Sequence, residues 1–163
     1  MYAFTVPPLM RSLTALGSIL DKAEGYFQEQ GWDPSVMIGY RLYPDMLPFA
    51  RQIQLTCDFA ARMTARLSGH EPRSFPDVET TLPELVTRVH TAKAYIAGFK
   101  PEEFEGAETR QIMLKLRGGE RSFSGLDYGM SYALPQFYFH MATAYNILRH
   151  NGVPLGKADF MGA

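Results

Sequence analysis

A chain of 163 residues, 46% hydrophobic and 20% charged, has the make-up of a globular protein, and it predicts one domain over residues 1–163 that buries its core without metal or disulfide staples. With 16 basic residues against 17 acidic ones there is no positive field for nucleic acid or an anionic lipid surface, and neither is expected as a partner. The one cysteine, Cys57, leaves no intramolecular disulfide to form and suits a reducing compartment.

The opening stretch Met1 to Pro8 has no basic region and breaks its apolar run with Pro7 and Pro8, so it does not read as a signal peptide. Nowhere does the chain approach the roughly twenty apolar residues of a membrane span, and the cytoplasm is the expected location. Leu9, Leu13, Leu16, Leu20, Ala23 and Phe27 step by fours and threes, which predicts a first helix from about Pro8 to Gln30, stopped by Gly31. A surface linker from Trp32 to Pro44 follows. Asp45 is the expected N-cap of the second helix, whose inner face is traced by Met46, Ala50, Ile53, Cys57, Ala60, Thr64 and Leu67. Arg51, Asp58 and Arg62 fall on the other side as a wet face, with Asp58 and Arg62 spaced as an i,i+4 pair. Gln52 and Gln54 flank the apolar stripe and are expected to point to water, with a pocket as the other outcome.

Residues 68 to 77 carry the Gly, Pro and Ser punctuation of a loop. Thr81-Leu82-Pro83-Glu84 is a capping box, and it opens a third helix whose apolar face is Leu82, Leu85, Val86, Val89 and Ile96, with His90 at the stripe's edge. Beyond the acidic turn at Pro101 to Gly106 the period changes from helical to two. Ile112, Leu114 and Leu116 alternate with Gln111, Met113, Lys115 and Arg117, and a turn at Gly118-Gly119 sets Arg117 against Glu120 and Leu114 against Phe123 in a small hairpin packed on the bundle. Gly129 and Pro135 argue against a helix running unbroken through Asp127 to Leu134. The fourth helix starts at Pro135 and ends at Asn151-Gly152, and the remaining tail reads as irregular coil.

The fourth helix holds the candidate site. At about 100° per residue Phe137, Met141, Ala144, Ile147 and Leu148 share a face, and His140 falls among them where a leucine would be expected. A lone histidine on such a face is usually a core residue bonded to a polar neighbour; the functional reading makes it a ligand or an acid/base group. A helical histidine pair for a metal needs i,i+4 spacing, and the partner position of His140 is Ala144. Cys57, on an apolar stripe, reads as an inert small hydrophobe.

Three segments carry a resemblance: Arg41-Leu42-Tyr43-Pro44-Asp45-Met46 before the second helix, Pro135-Gln136-Phe137-Tyr138-Phe139-His140 opening the fourth, and the tail Leu155-Gly156-Lys157-Ala158-Asp159-Phe160. Together they resemble a bacterial domain-of-unknown-function family of the DinB/YfiT-like four-helix-bundle superfamily. The resemblance implies a mainly α, DinB-like four-helix bundle, frequently a homodimer, here with the hairpin between helices 3 and 4. In better understood members three histidines hold a divalent metal, one on the second helix and two at i,i+4 on the last, and some are thiol-dependent transferases or isomerases. His140 matches the first of the last-helix pair, Ala144 stands where the second would be, and the second helix offers Gln52 and Gln54 but no histidine. The expected protein is therefore a homodimeric bundle with a small-ligand pocket near His140, drawing on Gln54, Gln52 and Asp45, with a degenerate metal site and no cofactor. The alternatives are a divalent-metal transferase or hydrolase, with His140 as ligand and Gln54, Asp45 or a second histidine completing the shell, and a structural or partner-binding bundle without a site.

Overall fold

The structure is a computed structural model that describes residues 1–163. Four long helices form its frame: α1 (Tyr2–Glu29), α2 (Phe49–Leu67), α3 (Leu82–Ala97) and α4 (Leu134–His150), followed by a short α5 (Lys157–Met161). Between α3 and α4 lies a two-stranded antiparallel hairpin, β1 (Gln111–Leu116) and β2 (Gly119–Ser124). α1 packs on α3, and α2 packs on both α3 and α4. The apolar cluster at the centre draws Leu13 and Leu16 from α1, Ile53 and Cys57 from α2, Leu85 and Val89 from α3, Phe137 and Met141 from α4, and Ile112 and Phe123 from the hairpin. No helix is long and apolar enough to cross a membrane.

α1 begins six residues before the start expected at Pro8, so Pro7 and Pro8 lie inside it. Each removes a backbone donor, and such a turn survives only where other contacts hold it. The Tyr2 ring meets Phe104 edge-on at 5.4 Å, and the buried Thr5 hydroxyl donates to the Met1 carbonyl at 3.1 Å. The linker that follows contains a 3₁₀ turn at Pro34–Gly39 whose Met37 is fully buried.

Asp45 does not cap α2. Pro48 is the N-cap, because a proline keeps the residue before it out of the helical region, and Asp45 is left exposed in the preceding turn. The Thr81 capping box is present as expected: the Thr81 Oγ1 accepts from Glu84 N–H, and the Glu84 carboxylate accepts from Thr81 N–H at 3.0 Å.

The hairpin exists, with a different register. Ile112 faces Phe123 and Lys115 faces Glu120, so the turn is Arg117-Gly118. A shift by an even number keeps Ile112, Leu114 and Phe123 on the inner face and still sets a cation against Glu120, so the pattern that suggested the first register suits the second equally. Helical backbone also runs unbroken where a break was expected. Gly125–Asp127 forms an α-turn, capped by the Ser124 side chain, and Tyr128–Ala133 forms a π-helical stretch in which Leu134 N–H reaches the Gly129 carbonyl. Pro135, having no N–H, falls where this wider ladder gives way to the α-helix. The tail forms α5 instead of coil. Its Asp159 accepts from Gly156 N–H at 2.7 Å and pairs with Lys22 of α1, and Phe160 packs edge-on to Tyr145.

Candidate functional site

α2 is sandwiched, and its two glutamines serve different neighbours. Two residues apart on a helix they point about 200° from each other. Neither faces water as the sequence suggested: Gln52 is 1% exposed and Gln54 5%. A helix packed on both sides has more than one buried stripe, which a single-stripe reading does not show.

Toward α4, Gln52 meets His140. The Gln52 Nε2 donates to the Leu47 carbonyl at 3.0 Å, which leaves its Oε1 as the acceptor facing His140 Nδ1 at 2.8 Å. The proton of that bond must therefore belong to the imidazole, so Nδ1–H donates and the lone pair of the neutral ring sits on Nε2. Nε2 has no hydrogen-bond partner, yet it is not among the buried unpaired atoms, so the residual exposure of this buried residue includes Nε2. Phe59 of α2 stacks on the ring at 5.7 Å, and Phe139 meets it edge-on at 5.3 Å. Burial, followed by the positive charge of Arg51, lowers the His140 pKa to about 4. At neutral pH the ring is a hydrogen-bond acceptor and a weak base.

Toward α3, Gln54 joins a network of charges. Arg88 of α3 is 4% exposed and donates to Asp58 at 2.7 Å, to Glu79 at 2.9 Å, to the Pro76 carbonyl at 2.8 Å and to Asp77 at 3.2 Å. Asp58 also accepts from Arg62 at 2.7 Å, Glu79 accepts from Gln54 Nε2 at 2.9 Å, and Arg51 pairs with Asp77 while donating to Gln54 Oε1 at 3.1 Å. Arg51, Arg62 and Arg88 thus balance Asp58, Asp77 and Glu79, and the network ties α2 to α3 and to the loop between them. The i,i+4 pair of Asp58 and Arg62 is present, but Asp58 is buried, not part of a wet face.

A model of a domain of unknown function, DUF1993, matches residues 1–161. The chain belongs to the DUF1993 family. No curated protein matches it. The crystal structure of a DinB family member protein from Shewanella denitrificans is similar to it, with a TM-score of 0.93 and 38% identity over 99% of this chain and 92% of that one. The DUF1993 fold seen here is accordingly a DinB-like four-helix bundle with a hairpin between the third and fourth long helices.

Within this DUF1993 chain the expected site residues part company. His140 and Gln52 come together; Gln54 belongs to the Arg88 network; Asp45 is exposed and bonds to neither group. His90 and His150 are exposed, and His70 approaches Glu103 at 3.3 Å. No three His, Cys, Asp or Glu side chains form a group that could hold a metal ion. Cys57 is fully buried, and burial pushes its thiol up to about 12. Arg88 was not singled out from the sequence. Its signal is angular: it lies about 40° from the buried Ala92 on α3, at the edge of the stripe, where a surface arginine would be a poor fit.

Proposed function

We propose that this DUF1993 protein is a small-ligand-binding bundle in which His140 provides the polar contact and the metal site of its better understood relatives has degenerated. The observation that carries this reading is the Gln52–His140 contact: Gln52 Oε1 holds Nδ1–H, and Nε2 of a ring that packs on Phe59 and Phe139 is left as an unpaired acceptor. Phe139, beside it, also borders a groove of about 370 Å³ with Tyr132, Pro135 and Gln136, room for a small ring or short chain. A pKa of about 4 favours binding over proton transfer, since an efficient general base has a pKa near the working pH.

The residues around His140 do not fit zinc or nickel. One imidazole and an amide oxygen already engaged by that imidazole are a weak donor set, the buried methyl of Ala144 occupies the i,i+4 position, and the Arg51 charge that acts on the ring would repel a dication. We place the protein in the cytoplasm as a homodimer. Met130 and Phe139, both about half exposed along the segment leading into and through α4, supply an apolar strip that a second copy would cover. A shift of Phe139→Ser to the monomer in sedimentation is the expected sign; an unchanged distribution would refute that contact.

Elemental analysis and native mass spectrometry of untagged protein, made without added metal, test the binding reading. The expected result is no stoichiometric metal and a small-molecule adduct that His140→Leu loses. Stoichiometric metal that disappears in His140→Ala would instead favour a metal-dependent transferase or hydrolase. Identical spectra for the wild type and His140→Leu would leave a bundle with a structural histidine.

A further inference from the structure

We infer that the groove between α2 and the β-hairpin binds a small amphipathic anion, with a carboxylate or phosphate head on an apolar body. The groove holds about 450 Å³, within the size range of small-molecule sites. Its charged lining is Arg62 and Arg66 of α2 and Lys115 of β1, and no acidic residue borders it. Phe59, Leu116 and Tyr132 supply apolar wall.

Two of the three cations, Arg66 and Lys115, have no close carboxylate, and the third shares its own. Arg62 has Asp58 at 2.7 Å, but the same carboxylate also accepts from Arg88 at 2.7 Å. Lys115 reaches only Glu120, at 4.0 Å, with both side chains largely in water. Arg66 is half-buried and pairs with no carboxylate. Its one hydrogen bond, at 3.0 Å, goes to the hydroxyl of Tyr128, a phenol that burial keeps protonated. Arg62 and Arg66 are also four residues apart on one helix, where like charges repel. This concentration of positive charge stands in a chain whose formal net charge is −1. An anion in the groove removes the repulsion and gives Arg66 the charged partner it lacks. The aromatic and leucine walls take the apolar remainder of the same molecule.

This site is separate from the acceptor at His140. Phe59 stacks on the imidazole and lines the groove, and Tyr132 lines both this groove and the one beside Phe139, but no cation of the groove touches His140. Titration of the full chain with octanoate and with phenyl phosphate, followed by amide NMR, tests the inference. The expected result is saturable shifts at Met113 to Leu116 and around Arg66, with affinity falling at least about tenfold in Arg66→Gln, the loss expected for a charge-assisted hydrogen bond. Lys115→Gln, at a side chain 89% exposed, weakens binding by a smaller factor without disturbing the fold, and it carries the test if Arg66→Gln is unstable. Lys115→Gln leaves the small-molecule adduct at His140 unchanged, so this inference can fail or stand apart from the proposed function. Three results overturn it: no shifts in the wild type, equal binding of neutral octanol, or inorganic phosphate binding as tightly as phenyl phosphate.

Discussion

Acid should destabilise this protein through His140, by an amount that the structure bounds. The folded ring is held at about 4 against 6.5 for a free histidine, first by burial and then by Arg51. Above the unfolded value both states carry a neutral ring, and the contribution to stability is complete. As pH falls between the two values only the unfolded chain takes up the proton, so stability declines by at most about 1.4 kcal/mol per pH unit. From neutrality to about pH 4.5 the loss comes to at most about 2 kcal/mol, less to the extent that solvent reaching Nε2 screens the ring. The Gln52 bond does not cause the loss, since Nδ1–H donates whether or not Nε2 is protonated. The comparison is urea unfolding of the wild type and His140→Gln at several pH values. Every other group is common to the two chains and cancels in the difference. The wild type should lose about 1–2 kcal/mol more than the variant over this range; parallel curves to within ~0.5 kcal/mol would show that the ring is neither desolvated nor near a cation.

Four further outcomes are expected. Arg88→Met leaves Asp58 with Arg62 and Glu79 with Gln54 as their remaining partners, both carboxylates being nearly buried, and should cost about 3 kcal/mol in urea unfolding, part of it recovered when Asp58→Leu is added; a loss below ~1 kcal/mol would mean that the network is solvated. Gln52→Leu removes the acceptor from Nδ1–H and should cost about 1–3 kcal/mol while releasing the tautomer, which ¹⁵N NMR of the imidazole reads directly; an unchanged tautomer would refute its assignment to Gln52. Cys57, with a thiol at about 12 and no exposure, should resist thiol reagents until the chain unfolds, and rapid native labelling would contradict its burial. Gly125→Ala places a Cβ 1.8 Å from the Ala107 carbonyl oxygen, a backbone atom with no rotamer to yield, so it should cost about 4 kcal/mol or more in thermal unfolding; a loss under ~1 kcal/mol would show that the loop moves freely.

Features set by local chemistry were legible in the sequence. The Thr81 capping box needs only residues 81 to 84, and the inner face of α2 from Ala50 to Leu67 follows from one period. The features that went astray depend on distant partners. Pro7 and Pro8 stay helical where Tyr2 packs on Phe104, more than ninety residues away in sequence. The hairpin register has two solutions with the same inner face, and pattern alone does not choose between them. At the site, His140 announced itself by standing in an apolar stripe. Its partner Gln52 did not, because an amide at a stripe's edge is ordinarily solvated and becomes buried here only when α4 packs over it. Asp58 shows the same ambiguity: its spacing to Arg62 is that of a surface pair, and Arg88 on another helix turns it into a buried one.

The π-helical stretch ahead of α4 sets two rotational phases along one continuous helical segment. Within it Tyr128 and Tyr132 meet Phe123 of the hairpin at 6.4 Å and 5.6 Å, and Tyr128 receives the Arg66 bond. On its far side Phe137, His140 and Met141 are turned inward, with His140 on Gln52 of α2. A π turn holds one residue more than an α turn, equivalent to about 100° of rotation. Deleting a single residue between Tyr128 and Ala133 would yield a more regular helix and a worse protein: with the near half seated on the hairpin, His140 would swing away from Gln52, and with His140 seated, Tyr128 would leave Arg66. The irregular turn lets one helical rod serve two differently oriented surfaces.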